Sequence, residues 1–124
     1  MSERARRLFE QGGEHDAAGR EEEAIPFYEE ALALGLTDEL RPRALLQLGS
    51  SLRNVGRHAE AVELLQGAVA TYPEHGGLRF FLALALRSSG RERDGFVALG
   101  WLALDEADLR GYERAAGYYL DQLD

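Results

Sequence analysis

The sequence has no cysteine and no lysine. Without cysteine there is no disulfide framework, no thiolate metal site and no cysteine nucleophile. Without lysine, all 14 positive charges are arginine, set against 22 acidic residues for a net charge of −8. That balance repels phosphate, and the arginines form no dense basic stripe, so nucleic acid is disfavoured as a partner. No apolar run approaches the roughly 18 residues of a membrane span. Met1, Ser2, Glu3 and Arg4 have no apolar segment behind them, so no signal peptide is visible and no membrane association is expected. The three histidines, His15, His58 and His75, include no pair at i, i+4, so no local metal pair is expected. Ser50-Ser51 and Ser88-Ser89 lack an acyl-transfer context, and no glycine-rich loop follows a strand. Carboxylates are many, but nothing selects two for one cleft. The expectation is a chain with no catalytic, metal or cofactor-binding residues, and not an enzyme. A single Ile and a single Asn, beside abundant Ala, Gly and Arg, suggest a genome rich in G and C and a bacterial source. A cytoplasmic location is expected.

What is present is a patterned chain of 124 residues, 45% apolar and 29% charged, enough for one packed domain. Gly-Arg occurs at Gly19-Arg20, Gly56-Arg57 and Gly90-Arg91, with spacings of 37 and 34 residues. Similar segments follow: Glu23-Ala24-Ile25 with Tyr28 and Ala31, Glu60-Ala61-Val62 with Leu65 and Ala68, and Asp94-Gly95-Phe96 with Leu99 and Leu102. Seven positions ahead of each glycine stands another small residue, Gly12, Gly49 or Ala83, and Gly117 follows 34 residues after Ala83. Apolar residues recur at spacings of three and four, the helical period. Leu45, Leu48, Leu52 and Val55 line one face, and Val62, Leu65 and Val69 line the next. The small residues mark where paired helices press closest. Seven helices are predicted, over 3–18, 21–34, 39–55, 58–71, 76–89, 92–105 and 109–123. Asp38 and Asp108 are candidate N-caps, and Gly12-Gly13 predicts a weak or bent first helix.

A period of 34 resembles the tetratricopeptide repeat, a pair of antiparallel helices. The resemblance covers residues 5 to 123. It is most specific in the middle repeat, through Leu48-Gly49, Leu52, Gly56, Ala61, Leu65, Ala68 and Pro73. The first repeat has Leu36 where a proline is usual. The third has Arg79 at a large apolar position, Gly95 for an alanine, and no closing proline. The resemblance implies an all-α fold, a right-handed α-solenoid of antiparallel helix pairs. It would form one domain over 1–124, with repeats near 5–38, 42–75 and 76–108. A capping helix at 109–123 would cover the last apolar edge.

In such arrays the leading helix of each pair lines a concave face that binds a peptide or helix of a partner protein. The resemblance places Arg43, Leu46, Ser50, Arg53 and Asn54 on that face. It adds Phe80, Leu84 and Arg87 from the third repeat and Arg114 and Tyr118 from the last helix. Arg6, Phe9, Gly13 and Asp16 are candidates on the first. Leading and capping helices carry nine Arg against six acids, and the remainder five Arg against sixteen acids. The concave face therefore suits a partner segment with apolar side chains and carboxylates, since arginine forks onto carboxylate. The bland alternative is that these arginines only keep helix faces solvated. Some family members clamp a terminal carboxylate with paired Lys and Asn. This chain has Ser50 and Leu84 there and its only Asn one turn later, so no such clamp is expected. Trp101 replaces Glu30 and Gly67 of the other repeats. It either packs on the capping helix near Tyr112 or Tyr119 or anchors a homodimer, the self-associating alternative to a binding scaffold.

Overall fold

Each Gly-Arg pair ends one helix and begins the next. Gly19, Gly56 and Gly90 take φ of +77°, +88° and +85°, a left-handed conformation that costs glycine nothing sterically. Each glycine N–H donates to the carbonyl three residues back. Each following Arg N–H donates to the carbonyl five residues back, at His15, Leu52 and Leu86, in every case at 2.8 Å. These paired bonds satisfy the last carbonyls of the helix. The Arg side chain then reaches forward to an acid in the first turn of the next helix. Arg20 meets Glu23 at 3.3 Å, Arg57 meets Glu60 at 2.6 Å, and Arg91 meets Asp94 at 2.9 Å. The hydrogen bond between Arg57 and Glu60 holds the guanidinium above its ordinary pKa and the carboxyl below its own. All three pairs stand largely in solvent, so they set the turn more than they stabilise the fold.

The computed structural model describes residues 2–106, 111 and 113–122, and these form helices and turns without a strand. The helices are α1 (Glu3–Ala17), α2 (Glu21–Leu34), α3 (Arg41–Asn54), α4 (His58–Thr71), α5 (Gly76–Ser88), α6 (Glu92–Glu106) and α7 (Glu113–Asp121). Each packs on its neighbour in sequence, and α3 also packs on α5, the arrangement of a helical-repeat solenoid. The predicted boundaries shift at α7, which begins at Glu113 after a turn at Gly111, and at α3, which begins at Arg41. Thr37 makes the preceding turn, accepting the Leu40 N–H at its hydroxyl and the Arg41 N–H at its carbonyl. Asp38 caps nothing, and Asp108 lies outside the described residues. Pro42 sits in the first turn of α3, where no backbone donor is required. Ser2 caps α1 through its hydroxyl, and His75 caps α5 by accepting the Leu78 N–H at Nδ1, 3.1 Å away.

One apolar core runs from α1 to α5. Phe9, Ile25, Tyr28, Leu48, Leu65 and Leu78 are among its members. The departures from the repeat pattern each have a physical reading. Leu36 joins the core in place of the usual proline. Arg79 leaves the apolar set and pairs with Asp105 of α6 at 2.5 Å. Gly95 permits close approach of α6 to α5, since a Cβ there would lie 2.8 Å from the Ala83 carbonyl oxygen.

Helix α1 is continuous through Gly12-Gly13, and the two glycines differ in their surroundings. A Cβ on Gly12 would lie 2.6 Å from the Tyr28 ring, whereas one on Gly13 would meet nothing within 4 Å. Gly49 repeats the first situation against Leu65, also at 2.6 Å. Gly12→Ala is therefore expected to destabilise by about 1–3 kcal/mol through overpacking. Gly13→Ala is expected to stabilise by about 0.5–1 kcal/mol, because it only restricts the unfolded chain. Urea unfolding of the two variants checks this pair of opposite signs.

Candidate protein-binding surfaces

The leading helices α1, α3 and α5 meet along one face through residues 31 to 35 positions apart. The Arg43 guanidinium lies over the Phe9 ring, 5.6 Å from its centroid. Leu46 abuts Gly77, where an added Cβ would lie 2.9 Å from its methyl. Arg53 Nη1 donates to Ser88 Oγ at 3.4 Å. Arg43 and Asn54 are exposed on α3, with Leu46, Ser50 and Arg53 half-buried beside them. Arg53 thus links α3 to α5. Arg6 pairs with Glu10 of its own helix at 3.4 Å, and Phe9 is buried in the core.

Asp16, expected on the concave face, is taken up inside the fold. It accepts hydrogen bonds from Tyr28 Oη at 2.5 Å and from Ser51 Oγ at 2.9 Å. One carboxylate thereby joins α1, α2 and α3. Ser51 is the fully enclosed polar side chain of α3, and it needs this acceptor.

Phe80, Leu84 and Arg87 come together on a second surface, a groove of about 540 Å³ between α5 and α6 that is also lined by Arg93, Phe96 and Leu99. The repeat register explains the groove. Ile25 and Val62 are 2% and 6% exposed because the next leading helix covers them, whereas their counterpart Phe96 is 65% exposed. Leu99 is 41% exposed, while its counterparts Tyr28 and Leu65 are enclosed. Among the described residues α6 buries only Gly95. The last helix, α7, covers the far end of α6. Leu120 sits on Gly100 and Gly117 sits on Trp101. Trp101 is therefore a packing residue, half-buried against α7. Tyr112 lies outside the described residues, and Tyr119 is exposed. Arg114 and Tyr118 are exposed on α7 and do not line the groove.

The family model described as Tetratrico peptide repeat matches residues 5–123. The chain belongs to the tetratricopeptide repeat family. Among curated proteins, none matches its sequence. The repeat generally mediates protein–protein interaction, and the α5–α6 groove is the place where one more repeat would stack. Sequence reasoning missed Phe96, Leu99 and Arg93 as surface residues, since the first two occupy core positions of the repeat. A signal was nonetheless there. Ser51 and Ala85, the small buried residues of α3 and α5, have Tyr119 as their counterpart in the 34-residue register.

The histidines serve locally. His15 stacks on Phe27, with ring centroids 5.0 Å apart, and accepts from Arg20 Nε at 3.1 Å. His75 is the α5 cap, and His58 is half-buried rather than on the open surface. Among the described residues no group of His, Asp and Glu could hold a metal ion, and no helix is long and apolar enough to cross a membrane.

Two outcomes follow from the Asp16 junction. Asp16→Ala should cost about 1–3 kcal/mol, because the buried Ser51 hydroxyl loses its acceptor. Burial also pushes the Tyr28 phenol well above its ordinary pKa, and the bond to Asp16 and its charge add to the shift. The folded value exceeds the unfolded one, so the protonated phenol stabilises the fold fully below about pH 10, and stability falls as pH rises beyond it. Lysines are absent, so no lysine titration overlaps this range. Urea midpoints compared at about pH 8 and about pH 11 should show a decline in the native chain that is smaller in Tyr28→Phe.

Proposed function

We propose that the protein is a scaffold that holds a peptide or helix of a partner protein in the trough lined by α1, α3 and α5. The observation that carries this reading is the row of cross-helix contacts Phe9–Arg43, Leu46–Gly77 and Arg53–Ser88. It sets three leading helices side by side and leaves Arg43 and Asn54 exposed. Family membership supports the same reading, because tetratricopeptide repeats generally mediate protein association and are generally not catalytic. The trough suits a segment with apolar side chains between carboxylates. Leu46 offers apolar contact, and Arg43 offers a guanidinium fork. The net charge of −8 argues against nucleic acid as the ligand. The exposed pair Tyr118 and Tyr119, with rings 5.5 Å apart, favours a second reading, self-association through the last helix. Light scattering separates the two, since a monomer at high concentration leaves only the first.

The partner reading has a direct check. The immobilised chain captures a partner from a bacterial lysate, and the double variant Arg43→Glu, Asn54→Glu is compared with it. Both positions are exposed, so the fold should survive, and retention of the captured partner should fall by about tenfold or more. Equal retention by the folded variant contradicts the trough as the binding face.

A further inference from the structure

We propose that the groove between α5 and α6 receives an amphipathic helix of a different protein, which stacks there as an additional leading helix. This goes beyond the trough reading, because the site is the end of the array and Phe96 and Leu99 lie outside the trough.

Two equivalent grooves within the chain show what fits. The α1–α2 groove is closed by α3, which presents Ala44 and Ser51, and the α3–α4 groove by α5, which presents Leu78 and Ala85. All four side chains are enclosed. The residue ten positions after the first of each pair is Asn54 or Ser88, and Ser88 accepts the Arg53 guanidinium across the joint. The third groove has its floor at the equivalent positions, made by Phe80, Leu84, Phe96 and Leu99, and a volume of about 540 Å³. Exposed apolar surface of this kind, rimmed by charge, marks an interaction site.

The occupant is not a helix of this chain. α7 carries Tyr119 at the position of Ser51 and Ala85, and that ring is 69% exposed. A tyrosine cannot enter a joint shaped for serine or alanine without overpacking. Helix α3 and helix α5 are committed within the fold. The leading helix left free on a second copy is α1, which carries exposed Arg7 and Glu14 at the two inward positions. Seating it would bury two charges.

Charge selects the partner. Arg87 is the counterpart of Asp16 and Arg53, and each of those bonds a polar side chain near the C-terminal end of the next leading helix. Among the described residues the guanidiniums of Arg87 and Arg93 have neither ion pair nor hydrogen bond, and Glu92 is the one acid lining the groove. The fitting helix therefore has small or apolar residues at i and i+7 and Asp or Glu at i+10.

The probe is a labelled synthetic peptide of residues 39–55 carrying Asn54→Glu, titrated into the full-length protein by fluorescence anisotropy. Saturable binding is expected. It should weaken about tenfold or more when the protein carries Phe96→Glu or when the peptide carries Asn54→Arg instead. Arg43→Glu in the protein should leave it unchanged, which separates this site from the trough. Absence of saturable binding, or binding indifferent to Phe96→Glu, overturns the proposal. Phe96→Ser is expected to leave the Tm within about 4 °C of the native value. A larger drop shows that a helix of this chain already fills the groove, and a dimer dissolved by Phe96→Ser shows that a second copy does. Either result also overturns it.

Discussion

The structure depends on how closely one helix can approach the next. Gly12 against Tyr28, Gly49 against Leu65 and Gly95 against the Ala83 carbonyl leave no room for a Cβ. At Gly12 and Gly49 a large side chain of the paired helix lies directly on the glycine, and at Gly95 two backbones come together. Dispersion at such contacts is small per atom pair but large in sum. By contrast, the ion pairs lie mostly on the surface, where such a pair contributes about 0–1 kcal/mol. Apolar closure between successive pairs therefore stabilises the fold more than the ion pairs do, and polar links decide register and direction.

The polar links at one repeated position show that division. Asp16 accepts from Ser51, and Arg53 donates to Ser88. The same place in the register carries an acid in one repeat and a base in the next, each matched to a hydroxyl on the next leading helix. Arg87 holds that place in the third repeat, at an open groove. The chain thus keeps the stacking chemistry of its interior at an end where its own last helix sits only on the far part of α6. An array built from like units needs a finish, and here the finish is partial.

The helix pairs could be read almost in full from the sequence, because the Gly-Arg spacing and the period of three and four report local geometry. The boundary at α3 shifted because Thr37, rather than Asp38, forms the turn. The surface was less legible. Asp16 looked like an exposed acid because its partners, Tyr28 and Ser51, are joined to it only by tertiary packing. His75 gave no sign of capping, since histidine is not a usual N-cap. Phe96 and Leu99 read as core, as their counterparts are. Their exposure depends on where α7 sits, and the one residue that marks this, Tyr119, has meaning only beside Ser51 and Ala85.

If each leading helix protects the pair before it, protection should follow position in the array. Native-state hydrogen exchange measured helix by helix tests this most directly. Amides of α2 and α4, covered by α3 and α5, should exchange slowly, and those of α6 around Phe96 should exchange markedly faster. Protection of α6 equal to that of α4 would contradict the account, because it would mean that the third pair is closed like the other two.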